Sequence, residues 1–177
     1  MRDIKTEIID KAREIGDLVD WLISHHASPD LYEPTMYIDL EGVNFCREGS
    51  LSILTLLIDI GIPSMRVFFD VRNDSDTLYA HFGVALQGEE DVQLMESATR
   101  TTTSSRKYLN GLAKCIEQSG LDNRDLTSWK LAKEKGEQLF KVQFGGSYEV
   151  FEQRPIRNDI ISYCVGDVQH LHKLRSK

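Results

Sequence analysis

Residues 36–43 read MYIDLEGV, an octet in which β-prone apolar side chains alternate poorly with acids. Met36, Tyr37, Ile38, Leu40 and Val43 describe a strand, and the near-continuous hydrophobicity of LSILTLLIDI (51–60) describes central strands covered on both faces. Asp39 and Glu41 are separated by one residue, so on a strand both carboxylates project from the same side. Burying two like charges is costly unless a cation sits with them. A hard divalent ion such as Mg²⁺, which takes carboxylate oxygens, removes that difficulty. The structural alternative is a strand end whose acids face water.

Working outward, GIPS (61–64) makes a short break before a further strand, MRVFFDV (65–71). Asn73, with Asp76 three residues on, reads as a helix cap and predicts a helix from about Asp74 through Leu78 to Phe82. Helical periodicity then covers residues 92–100, 108–118 and 129–140. Gly145, Gly146 and Ser147 read as a loop, and Pro155 opens a last helix with Ile160, Cys164, Val168 and Leu171 on its apolar face. Upstream, Ile4, Ile8, Ala12, Ile15, Val19 and Leu22 recur at helical spacing. They predict an amphipathic helix over residues 1–24, packed on the domain and broken at Ser28, Pro29 and Asp30. Strands first and helices later give one α/β domain over residues 1–177.

The 177 residues carry 21 basic and 28 acidic side chains, a formal net charge of −7, with 41% hydrophobic content, which excludes fibrous and wholly disordered chains. No run approaches the roughly 20 apolar residues of a membrane span, and the charged N-terminus is no secretory signal, so an intracellular, soluble protein is expected. Cys46, Cys115 and Cys164 lie far apart, without the spacing of a zinc site or a disulfide framework. Neither a Walker A sequence nor GxGxxG is present. The charge is unevenly divided: residues 1–98 carry 7 basic and 19 acidic side chains, net −12, and residues 99–177 carry 14 and 9, net +5. The split suits an anionic site served by cationic contacts from the second half. Arg72, Arg100, Arg106, Lys107, Lys130 and Arg157 are candidates to meet phosphates, and Arg100 and Arg106 flank the hydroxyl-rich TTTSS.

Three acids lie at the strand-to-helix turn VFFDVRNDSD. Asp76 is accounted for by capping, Asp70 reads as a strand residue, and Asp74 falls beyond the carboxyl end of its strand, where α/β sheets place their sites. On the final helix Tyr163 and Asp167 are four apart, which stacks a phenol and a carboxylate on one face.

Taken together, YIDLEGVNFCREGSLSIL, VFFDVRNDSDTLYAHFGVAL, GGSYEVFEQRPI and YCVGDVQHL resemble the DEDDy 3′-to-5′ exonucleases. These form the tyrosine branch of the DnaQ-like superfamily, here with an RNase D-like domain on the ribonuclease H-like fold. The wording is most similar to fungal exonuclease 3′-5′ domain-containing proteins, and the resemblance covers residues 36–174. It implies a mixed sheet flanked by helices. It also implies that Asp39, Glu41, Asp74 and Asp167 hold two divalent cations, Mg²⁺ or Mn²⁺, at a scissile phosphate, with Tyr163 orienting the attacking water. The implied activity is release of nucleoside monophosphates from a single-stranded 3′ end, RNA preferred slightly over DNA, in the nucleus or cytoplasm. Arg72, Arg100, Arg106 and Lys107 are the expected nucleic-acid contacts. The chain departs from the family in one respect: a strand and a helix are missing or compressed between LSILTLLIDI and MRVFFDV. That departure motivates a second expectation, a non-catalytic domain that binds RNA or a protein partner in an RNA-processing complex.

Overall fold

Strand β1 (Thr35–Glu41) lies at the centre of the computed structural model, which describes residues 4–27, 34–60 and 65–176. The breaks expected at residues 28–30 and 61–64 fall outside the described residues. On one side β1 pairs antiparallel with β2 (Ile53–Asp59), with Asp39 opposite Thr55 and Glu41 opposite Ile53. On the other side it pairs parallel with β3 (Arg66–Phe68), which in turn pairs parallel with β4 (Glu89–Asp91). The result is a four-stranded mixed sheet in the order β2, β1, β3, β4, flanked by helices.

In sequence only residues 60–65 separate β2 from β3, which lie either side of β1. A crossover of a dozen residues is needed when a strand returns parallel to its immediate predecessor. Here the predecessor of β3 is β2, and the two run in opposite directions. Asp59 pairs with Thr35, and Arg66 pairs with Met36, so β2 ends and β3 begins at the same end of β1. The two strand ends to be joined are separated by about 10 Å, two strand spacings. The strand and helix that the resemblance would place here are therefore dispensable to sheet connectivity.

Helix α1 (Ala12–Ala27) starts later than the periodicity suggests, with residues 4–10 non-helical. Of the predicted apolar face Ile15 and Val19 are exposed and Leu22 is half-buried, as are Leu18 and Trp21. Helix α2 (Arg72–Phe82) begins with Val71, not Asn73, at the N-cap, and no side chain caps it. Asp76 instead accepts from Arg47, at 2.7 and 3.2 Å, tying α2 to the loop after β1. Strand β4 has no counterpart in the sequence reading, because acids disfavour strands; at a sheet edge Glu90 pairs with Arg175 at 2.5 Å.

The remaining helices are α3 (Val92–Thr99), α4 (Leu112–Glu117), α5 (Asn123–Phe140), α6 (Asn158–Val168) and α7 (Leu171–Arg175). Helix α5 starts well before Trp129 because the Asp122 carboxylate accepts from the Asp125 N–H at 2.8 Å and caps it. Helix α6 starts at Asn158, after Pro155, and the last periodic segment divides at Gln169 and His170. Helix α6 packs on β1 and β2, and α5 packs on α6. Two apolar clusters result. One gathers Tyr37, Val67, Trp129, Val168 and Leu171; the other gathers Phe140, Phe151, Ile160, Tyr163 and Cys164. Cys115 and Cys164 are buried thiols, as their isolation in the sequence suggests, while Cys46 is half-buried.

Candidate metal centre

Side-chain alternation along β1 sends Asp39 and Glu41 to the face covered by α6, and α6 answers with Tyr163 and Asp167 one turn apart. One oxygen each from Asp39, Glu41 and Asp167 lies within 4.8 Å of the others. The three sit at the seam between the two apolar clusters, since Tyr163 belongs to one and Val168, next to Asp167, to the other.

Asp74 approaches from the first turn of α2, buried, with the backbone N–H of Leu40 directed at its carboxylate. Its position depends on Asp91, which sequence reading passed over. Asp91 Oδ1 accepts from the N–H groups of Asp70 (3.0 Å) and Gln93 (2.8 Å), and Oδ2 from that of Val71 (3.2 Å). One carboxylate thus caps α3 and clamps the turn that launches α2, where Asp70 takes the left-handed φ of 61°. Asp70 is a turn residue rather than a strand residue, and it pairs with Arg72 at 2.5 Å.

Lys133 is the second residue that sequence reading missed. Its Nζ donates to both Asp167 oxygens, at 2.5 and 2.7 Å, and stands 3.6 Å from the centroid of the Tyr163 ring. On α5 it is flanked by Trp129, whose Nε1 donates to Gly166 O at 2.8 Å, and by Gly136 and Phe140. Those positions form one helical stripe, so the signal was a lysine in register with buried residues. Gly136 is required by the approach of α6: a Cβ there would lie 2.5 Å from Tyr163 Cβ. Alanine in a helix normally gains about 1 kcal/mol over glycine. Gly136→Ala is expected instead to destabilise by roughly 1–3 kcal/mol, read by urea unfolding, because Tyr163 must shift.

Burial dominates the electrostatics. It pushes the Asp39 carboxyl well above the usual range, reinforced by Asp167, Glu41 and Asp74 and opposed by Lys133. Glu41 is pushed up to about 8, by burial first and then Asp167, with Lys133 opposing. Asp74 rises to about 7 through burial, held back by backbone N–H donors. Burial also raises Asp167 against the pull of Lys133, and raises the Tyr163 phenol, which stays protonated and donates toward Glu41 and Asp167. Asp39 Oδ2 and Asp74 Oδ1 are buried without a hydrogen-bond partner. Orphaned carboxylate oxygens beside clustered acids are a donor set fit for hard divalent cations.

Three of the expected phosphate contacts, Arg72, Arg100 and Arg106, already have partners within the chain. Arg100 pairs with Glu96 and donates to Ser105 O (2.5 Å) and Tyr108 O (2.7 Å), while Arg106 donates to Arg100 O (2.6 Å). Both brace the 100–110 loop. Arg100→Ala should therefore speed protease cleavage in that loop and lower Tm, as limited proteolysis and thermal melting would show. Lys107 stands 5.3 Å from the Tyr108 ring centroid. A cavity of about 450 Å³ beside this loop, lined by Glu96, Arg100, Tyr108 and Lys114, contains none of Asp39, Glu41, Asp74 and Asp167. A second, of about 340 Å³, is lined by Asn44 and Phe45 after β1, Asn73 next to Asp74, and Tyr148. Among the described residues no helix is long and apolar enough to cross a membrane.

No family model matches the chain, and no curated protein matches it in sequence. Solved structures do. Trypanosoma brucei RNase D in complex with GMP superposes with a TM-score of 0.69 at 18% identity, over 96% of this chain and 55% of that one. Escherichia coli RNase D, an exoribonuclease involved in structured RNA processing, gives 0.63 at 14% identity, over 98% and 44%. Another T. brucei RNase D structure gives 0.60 at 19%, over 91% and 61%. The chain thus spans about half the length of the RNase D structures it matches. At these identities the likeness shows the fold: an RNase D-like α/β arrangement with a mixed sheet.

Proposed function

We propose that this chain is a metal-dependent 3′-to-5′ exonuclease of the DEDDy type, acting on single-stranded 3′ ends, with RNA preferred slightly over DNA. The observation that carries the reading is the convergence of Asp39, Glu41 and Asp167, with buried, unpartnered oxygens on Asp39 and Asp74 and the Tyr163 phenol alongside. Asp39, Glu41, Asp74 and Asp167 would hold two divalent cations, Mg²⁺ or Mn²⁺. Such ions, when bound, offset the charge that builds on the attacking and leaving oxygens of an in-line phosphoryl displacement. The chain's own residues do the rest. Tyr163, its phenol kept protonated by burial and the neighbouring acids, holds and orients the attacking water rather than removing its proton. The cavity between Phe45 and Tyr148 offers aromatic faces on which a terminal base can stack. Of the four expected phosphate contacts, Arg72 stands two residues before Asp74 in the chain and would have to leave its pairing with Asp70 to meet a phosphate. The place of action proposed is intracellular, nuclear or cytoplasmic.

One observation favours the non-catalytic reading: both oxygens of Asp167 accept from an ammonium of the chain's own, Lys133. The two readings separate on incubation of 5′-labelled and 3′-labelled single-stranded RNA and DNA with Mg²⁺ or Mn²⁺. The exonuclease reading expects a ladder shortening from the 3′ end, mononucleotide release, and loss of both with a chelator. Internal fragments, or tight RNA binding with no cleavage, would overturn it.

A further inference from the structure

The acids of the centre are not all equally available. Asp39 and Asp74 each keep a buried oxygen with no partner, whereas both oxygens of Asp167 are held by one ammonium. That ammonium is lodged between the Asp167 carboxylate and the face of Tyr163, so it neutralises the cluster where the two functional residues of α6 meet. Its side chain retains 16% exposure, and a lysine stem has four rotatable carbons, so the head can leave without moving α5. An arginine at this position would grip both oxygens with a rigid fork.

We propose that Lys133 is a resident counter-ion of the centre, displaced from Asp167 when a divalent cation binds. The inference rests on the metal reading given above and adds to it a competitor built into the chain. Its physical basis is simple repulsion. An ion that takes oxygens of Asp167 faces a positive charge already held by those oxygens, and a unit charge beside a divalent one at contact distance weakens binding on the order of tenfold even in water. Without metal, the same lysine lowers the repulsion among Asp39, Glu41 and Asp167 and holds α5 to α6. Lys133 thereby holds the centre assembled while empty and sets a threshold of free metal below which it remains so.

The test has two readouts that do not depend on nuclease activity. In the full chain at pH 7.5, Lys133→Met should bind Mn²⁺ about tenfold more tightly than wild type by calorimetry, and Lys133→Arg no more tightly than wild type. In wild type, acetylation of Lys133 by an amine-reactive ester, followed by peptide mass spectrometry with Lys107 as the internal reference, should become several-fold faster at saturating Mn²⁺. Equal Mn²⁺ affinity of wild type and Lys133→Met overturns the proposal. So does unchanged labelling of Lys133 while calorimetry shows Mn²⁺ bound. Should Lys133→Met fail to fold, the labelling of wild type decides alone. A wild-type chain that takes up no Mn²⁺ sinks the metal reading itself, a result distinct from an ion that binds without moving the lysine.

Discussion

Asp39→Asn is expected to lower metal-dependent nucleotide release by about a thousandfold or more, and to leave the metal-free protein at least as stable as wild type. The two halves of this expectation have one cause. Asp39 is the acid most enclosed by others: Asp167, Glu41 and Asp74 all raise its pKa, and its Oδ2 has no partner. Removing one oxygen ligand and a full negative charge from such a centre removes electrostatic stabilisation made in the transition state, where single groups are commonly worth a hundredfold to a thousandfold. In the empty protein the same charge is a liability, because burial favours the neutral form. Asparagine keeps the shape and supplies that neutral form at every pH. Oligonucleotide digestion and urea unfolding of the same preparation measure both halves. A variant that loses activity and several kcal/mol of stability together would mean that Asp39 holds the fold, not a cation.

The parts of the site legible in the sequence are those set by local geometry. Period-two alternation brings Asp39 beside Glu41, and the four-residue helical repeat brings Tyr163 over Asp167; each needs only the type of its element. The α/β class was equally legible, because the strands MYIDLEGV and LSILTLLIDI precede helical periods, although β2 lies at the sheet edge with Leu54 exposed and not at the covered centre that its hydrophobicity suggests. What escaped depends on contacts between distant segments. Lys133 lies 34 residues from Asp167 and sits in a polar-looking stretch, KLAKEKGEQ, so only its register with Trp129 and Phe140 marks it as inward. Glu89, Glu90 and Asp91 form a strand against their propensity, because β3 offers an open edge and Arg175 a counter-charge. Asn73 yielded the capping position because Asp91 clamps the turn two residues earlier, at Val71. The short link between β2 and β3 conflicts with the family resemblance only until the strand order is known.

Metal-free protein should lose stability as pH rises from about 5 to 8, and saturating Mn²⁺ should restore it most at the alkaline end. Glu41 is raised to about 8 and Asp74 to about 7, and both groups hold protons in the folded state that the unfolded chain, titrating near the ordinary carboxylate range, has already released. Stability therefore falls with rising pH through the window between the unfolded and folded values, and levels off above the folded ones. At about 1.4 kcal/mol per unit, the two buried acids together amount to roughly several kcal/mol, a fall in Tm of about 10 °C or more for a domain of this size. Asp76, Glu96 and Asp122 are held below the usual range by their hydrogen-bond donors and work in the opposite sense. Their contribution is lost only as pH drops below the ordinary carboxylate values, so it does not mask the trend above pH 5. A cation that binds the folded centre replaces those protons, and its stabilisation grows as RT ln(1 + [L]/Kd). Since protons compete with it at low pH, the Mn²⁺-induced rise in Tm should be small at pH 5.5 and large at pH 8, and it should vanish in Asp39→Asn. Thermal melts across that range with and without Mn²⁺ test the point directly. A metal-free Tm that climbs from pH 5 to 8, or a Mn²⁺ shift equal at both ends, would mean that the acids of β1 and α2 are neither buried nor available to a cation.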